Sequence, residues 1–129
     1  EIRLSLVGSE MCIRDSNEWH RQFEGLAGID VDFIECCPKC YEPLAIKETC
    51  FDKGQQYKAT TFVNLLGNRL QIPVFLIFYR LDDLGVMNLR IQRVRPFKSQ
   101  IQSMSVEKWT GILYDLQAKH KEVCRYEKD

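Results

Sequence analysis

IDVDFIECCPKCYEPLAIKETC occupies residues 29–50, and its reading decides what kind of sheet the chain builds. IDVDFIEC alternates: Val31 and Phe33 share one side and Asp30 and Asp32 the other, the period of a strand. CPKCYEP, with two prolines, reads as a turn. PLAIKETC reads as a second strand. Only a short turn joins the two, so they pair as an antiparallel hairpin. Pairing across a turn centred near Lys39 to Glu42 sets Asp32 beside Glu48, while Lys47 points to the opposite face. Two carboxylates a few ångströms apart repel and lose hydration. A divalent cation between them relieves both costs, and oxygen ligands with open water positions suit Mg²⁺ or Mn²⁺. The plainer alternative for Asp30 and Asp32 is a solvated strand face, and Glu48 taken singly reads equally well as a surface strand residue.

Working outward, NEWHRQFEGLAG (17–28) reads as a short helix, with Trp19, Phe23 and Leu26 on one side and Gly25 and Gly28 at its end. Downstream, Asp52 is placed to cap a helix from about Gly54 to Asn68, with an apolar stripe of Ala59, Phe62, Val63 and Leu66. Gln55 and Lys58 fall on that inward face, at a helix N-terminus that favours anions, near the end of the Glu48 strand. There a lysine can orient a water or stabilise a pentavalent phosphate. The plainer alternative for both is an exposed first helical turn. IPVFLIFYR (72–80) is continuously apolar and reads as a central strand. VMNLRIQRVRP (86–96) is a further strand with Met87, Leu89, Ile91 and Val94 inside, its alternation slipping near Arg93 as at a bulge. Ser105 caps a last amphipathic helix carrying Trp109, Ile112, Leu113 and Leu116. The expected class is α/β: a small single-domain sandwich, a mixed sheet flanked by helices, in the order α-β-β-α-β-β-α.

IDVDFIE, PLAIKETC, the helix with QQYK and LQIPVFLIFY, in that order, resemble the PD-(D/E)XK nuclease superfamily, on its restriction-endonuclease-like or Holliday-junction-resolvase-like side. The resemblance spans about Trp19 to Arg95. It implies a restriction-endonuclease-like core and metal-dependent hydrolysis of DNA phosphodiesters by a phage, repair or resolvase type of enzyme. It makes Asp32 and Glu48 the ligands of Mg²⁺ or Mn²⁺, and a homodimer is compatible with it. The chain departs from the family pattern at Cys50, where the family has lysine two residues after the metal glutamate. Lys58, with Gln55 beside it, is the replacement the spacing offers, and Lys53 is a second candidate. The alternative is a catalytically degenerate module of the same fold that binds nucleic acid or a partner protein.

Cys37 and Cys40 have the C-x₂-C spacing of a zinc knuckle. A tetrahedral site needs four ligands, and no second knuckle follows. Cys36 points the wrong way, Cys50 lies a strand's length away, and His20, His120 and Cys124 can join only through the fold. A Zn²⁺ site is therefore one reading, and a plain hairpin tip, or a site completed by a partner chain, is another. Arg80, Arg90, Arg93, Arg95 and Lys98 form the most basic stretch, suited to phosphate contact or equally to protecting an edge strand.

Residues Ser5–Ser16 (SLVGSEMCIRDS) are set apart. They resemble, residue for residue, the translation of a transposase adapter used in DNA sequencing libraries. Residues 1–16 are accordingly read as non-native and 17–129 as the nuclease-like domain, N-terminally truncated and drawn from environmental DNA. Without them the chain has 16 basic and 15 acidic residues, so net charge does not decide for or against nucleic acid. Five cysteines remain, an odd number with three crowded into five residues. That disfavours a disulfide framework and suits a reducing, cytoplasmic setting. The most apolar run is far too short to span a bilayer. Deleting residues 1–16 should leave the thermal unfolding midpoint unchanged within error; a clear drop in calorimetry would contradict the adapter reading.

Overall fold

A computed structural model describes residues 22–25, 29 and 31–126. The chain divides into two units, Glu1–Val31 and Asp32–Asp129. In the first, residues 22–25 form a turn; the rest of the helix expected over 17–28 lies outside the described residues. The second unit holds a five-stranded mixed sheet and two helices, in the order β1 (Phe33–Cys36), β2 (Pro43–Phe51), α1 (Thr61–Leu70), β3 (Val74–Leu81), β4 (Met87–Arg95), β5 (Gln102–Met104) and α2 (Val106–Lys121). The strands lie side by side in chain order. β2 and β3 are parallel and every other pair is antiparallel.

The expected hairpin is present, with Phe33 opposite Lys47 and Glu35 opposite Ala45. A parallel β2–β3 pair cannot close with a tight turn, so residues 52–73 cross over the sheet and contribute α1. β3, apolar on both faces, is the central strand; Val74 to Phe78 are buried. Alternation along β2 and β3 divides the buried residues between two faces. Ala45, Phe75, Ile77, Leu89 and Ile91 pack with Trp109 of α2, with Ile112, Leu113 and Leu116 around them. Phe75 and Trp109 meet edge to face, ring centroids 5.1 Å apart. Ile46, Val74, Leu76 and Phe78 alternate with those residues and face the α1 side.

Four local readings need correction. The helix expected from Gly54 to Asn68 begins only at Thr61 and ends at Leu70. Asp52 does not cap it: its carboxylate accepts from the Gly54 amide at 2.8 Å and pairs with Arg90, which holds the preceding segment as a loop. Its buried stripe is accordingly Val63 and Gly67, and Ala59 is exposed before the helix begins. β5, too short to show a period, adds a strand to the expected order. It also makes β4 an interior strand rather than an edge. The slip near Arg93 is real: Val74 faces Arg95 and Phe75 faces Arg93, so Val94 is the extra residue. Ser105 caps α2 as expected, its side chain accepting from the Lys108 amide.

α1 is capped by Gln71, whose φ is 58°, with the Ile72 amide donating to the Gly67 carbonyl at 3.0 Å. Gly67 lies where α1 closes on β3. A Cβ there would collide with the Val74 side chain and lie 3.1 Å from the Ile72 carbonyl oxygen. Gly67→Ala should therefore cost about 1–3 kcal/mol in urea denaturation, as overpacking does, despite alanine's better helix propensity; a neutral or stabilising result would mean α1 can move off the sheet.

Candidate active site and metal centre

β2 is apolar over its first half and polar over its second. Residues 44, 46, 48 and 50 alternate onto the α1 face, so Glu48 and Cys50 follow Ile46 there. Extending the β1–β2 register by one position sets Asp32 opposite Glu48. Asp32 Oδ2 accepts from the Thr49 amide at 2.8 Å and from Thr49 Oγ1 at 3.1 Å, which fixes the carboxylate although Asp32 precedes the strand proper. Lys47 is on the other face, bonded to Glu35 at 3.0 Å and stacked over Phe33; as expected from alternation, it takes no part.

Lys58 lies on the loop rather than on a helix, yet it reaches the strand. Its Nζ is 3.1 Å from Glu48 Oε1 and donates to the Thr49 carbonyl at 2.9 Å. Burial pushes the Glu48 carboxyl above its ordinary value; Lys58 pulls it back and the charge of Asp32 pushes it up again. Asp32 and Glu48 are thus close enough to repel. Cys50 sits where a lysine was expected from the resemblance, and burial raises its thiol, keeping it neutral and poorly nucleophilic near pH 7. Gln55 is not on a helix either. Its Oε1 accepts from the Lys53 amide at 2.6 Å, and its Nε2 donates to the Phe51 carbonyl at 2.9 Å and lies 3.6 Å from Cys50 Sγ. It ties the loop and sits beside the site.

The loop is anchored by a pair that sequence reasoning missed. Arg90 on β4 makes two bonds to the Asp52 carboxylate, at 2.9 and 2.8 Å, and a third to the Gln55 carbonyl at 2.6 Å. Arg90 also stacks over Phe78. Arg93 bonds the Phe97 carbonyl and Arg95 the Ile72 carbonyl, so these three arginines of the basic stretch have partners within the chain. The partners of Arg90 lie 35 and 38 residues away, beyond what local spacing can reveal.

A second constellation lies at the opposite end of β2. Cys37 and Cys40 on the hairpin turn meet His120 and Cys124, and the four ligand atoms lie within 4.8 Å of one another. Among the described residues this is the one group of three or more such side chains able to hold a metal. Cys37 Sγ is 3.9 Å from Cys124 Sγ, and Cys40 Sγ is 3.2 Å from His120 Nε2. The turn is shaped by the Cys37 amide donating to the Glu42 carbonyl and the Tyr41 amide to the Cys37 carbonyl, both at 2.9 Å, with Tyr41 at φ 62°. The Cys40 amide, bonded to the Cys37 sulfur, pulls that thiol down to about 7. For Cys40 the Glu42 amide pulls down, but burial and the neighbouring Cys37 and Cys124 sulfurs outweigh it and raise the thiol. The second half of this set was legible in part: H-x₃-C places two ligands one helical turn apart, but nothing local says that the end of α2 returns to the hairpin tip.

No family model, curated protein or solved structure matches the chain. Among the described residues no helix is long and apolar enough to cross a membrane.

The Asp52–Arg90 pair has a defined pH signature. Arg90 holds the Asp52 carboxyl down at about 2, below its ordinary 3.8. A depressed folded-state value stabilises above the unfolded value, and the contribution is lost as pH falls toward the folded one. Wild type should therefore exceed Asp52→Asn in urea midpoint above about pH 4, and the gap should close by about pH 2; a gap independent of pH would mean that charge is not what Asp52 contributes.

Proposed function

We propose that this chain is a divalent-metal-dependent nuclease of the PD-(D/E)XK kind, with a restriction-endonuclease-like core, and that Asp32, Glu48 and Lys58 form its active site. The observation that carries the reading is the reach of Lys58: an ammonium 3.1 Å from Glu48 Oε1 supplies, from the crossover loop, the charge that Cys50 cannot. The donor set fits the metal. Asp32 and Glu48 are oxygen ligands of the hard type that Mg²⁺ and Mn²⁺ prefer, and the mutual repulsion that helps raise the Glu48 carboxyl is relieved by a cation between them. When bound, such an ion supplies Lewis acidity to the scissile phosphate and lowers the pKa of a coordinated water.

The chain's own groups have separate tasks. Thr49 holds the Asp32 carboxylate in place through Oδ2, and Lys58 holds Glu48 through Oε1; Asp32 and Glu48 would hold the cation. The Lys58 ammonium, poised between Glu48 and the Thr49 carbonyl, donates to a phosphoryl oxygen as negative charge builds there. Gln55 and Asp52, through Arg90, hold the loop that carries Lys58 at the right height. DNA is the proposed substrate and the cytoplasm the proposed setting. Soft thiolates suit Zn²⁺ rather than Mg²⁺ or Mn²⁺, so the cysteine cluster stands outside this chemistry.

A second reading has its own observation. Cys50 breaks the family's lysine position, and the Lys58 ammonium already neutralises Glu48, as a bound cation would. In that reading the chain keeps the fold and binds nucleic acid or a partner protein without cutting.

Cleavage of linear and branched DNA separates the two. With Mg²⁺ or Mn²⁺ the wild type should cut and Asp32→Asn should not. Lys58→Ala should lose about 2–4 kcal/mol of transition-state stabilisation, roughly 10²–10³ in rate, the scale of one lost charge donor; Lys53→Ala should lose little. An inert wild type that gains activity in Cys50→Lys would establish the degenerate reading. An active wild type indifferent to Lys58→Ala would remove Lys58 from the site.

A further inference from the structure

We propose that Cys37, Cys40, His120 and Cys124 bind one structural Zn²⁺, and that this ion fastens the tip of the β1–β2 hairpin to the end of α2. The proposal does not depend on the nuclease reading, because the cluster shares no residue with Asp32, Glu48 or Lys58.

The spacing of the ligand atoms is near what tetrahedral zinc requires, and small side-chain adjustments bring all four onto one centre. With Zn–S near 2.3 Å and Zn–N near 2.05 Å, two sulfurs on one ion stand about 3.8 Å apart, and a sulfur and a nitrogen about 3.6 Å. Cys37 and Cys124 are 3.9 Å apart, Cys40 and His120 3.2 Å. All four atoms fall within 4.8 Å of one another, so one centre can serve them all. Three sulfurs and an imidazole make up a Cys₃His set. Four protein ligands close the shell and leave no position for substrate, which marks a structural rather than a catalytic ion.

The local backbone supports the same conclusion. Cys37 and Cys40 sit on a tight turn of C-x₂-C form. His120 and Cys124 sit one helical turn apart as α2 ends, with the Cys124 amide donating to the His120 carbonyl at 2.9 Å. Cys124 and Cys37 are buried, and three thiols and an imidazole converge there from two stretches of chain far apart in sequence. The ligand pairs are 87 and 80 residues apart in sequence, so the ion closes a long loop and removes much of the unfolded chain's freedom. β1 has only four residues and is an edge strand, so the hairpin gains most from such a fastening.

Metal analysis of protein purified without added metal is the test. It should show close to one zinc per chain, and cobalt substitution should give the intense visible bands of tetrahedral thiolate-bound Co²⁺. Stripping zinc with a strong chelator should lower the unfolding midpoint by about 10 °C or more, given the size of structural zinc affinities, and restoring zinc should recover it. Cys124→Ser and His120→Ala should lose zinc, Cys50→Ser and Cys36→Ser should keep it, and His120→Cys, which retains four ligands, should keep it if the alanine variant fails to fold. Well under one equivalent of zinc with a midpoint indifferent to chelation would overturn the proposal. So would iron in place of zinc, or a Cys37–Cys124 disulfide found by mass spectrometry in freshly purified protein.

Discussion

β2 pairs with β1 antiparallel and with β3 parallel, and the rest of the arrangement depends on that double pairing. The antiparallel side requires only a turn, which brings Asp32 back opposite Glu48 and leaves Cys37 and Cys40 at its tip. The parallel side requires a crossover, which must leave the end of β2 and pass over the face that Glu48 occupies. Residues 52–60 make that passage before α1 begins, and Lys58 is dropped onto Glu48 on the way. One strand therefore positions both constellations: the carboxylates toward its C-terminal end and the knuckle toward its N-terminal end.

The polar half of β2 is held by opposing charges. Burial makes an ionised Glu48 costly, Asp32 makes it more so, and Lys58 offsets both in part. Nearby, Arg90 holds Asp52 firmly ionised and reaches the Gln55 carbonyl. Arg90 thus joins the far strand β4 to the loop that carries Lys58. The apolar core beneath, with Ile46, Val74, Leu76 and Phe78 on one face and the Trp109 cluster on the other, packs β2 and β3 from both sides.

Period-2 and period-3.6 patterns made the hairpin, β3, β4 and α2 legible, and alternation alone put Lys47 away from Glu48. What failed were signals with two readings. An aspartate before a glycine can cap a helix or make a turn. At Asp52 the turn won because Arg90, distant in sequence, claims the carboxylate. β5, three residues long, is too short to show a period at all. Asp32, Glu48 and Lys58 were expected to lie near one another and do, but Lys58 arrives from a loop and not from the expected helix. The cysteine knuckle was visible and His120 and Cys124 were among the residues the fold could bring to it; that these two converge on it was not legible, because side chains brought together by tertiary structure leave no joint pattern in the sequence.

The proposed role of Asp32 and Glu48 is to hold a divalent ion together. Paramagnetic Mn²⁺ titrated into the protein and followed by amide NMR is the direct test. Substoichiometric Mn²⁺ should broaden the amides of residues 32 and 48–50 first, excess Mg²⁺ should reverse this, and Asp32→Asn should weaken it. Broadening spread evenly over surface carboxylates, or confined to residues remote from β2, would mean that Asp32 and Glu48 hold no such ion.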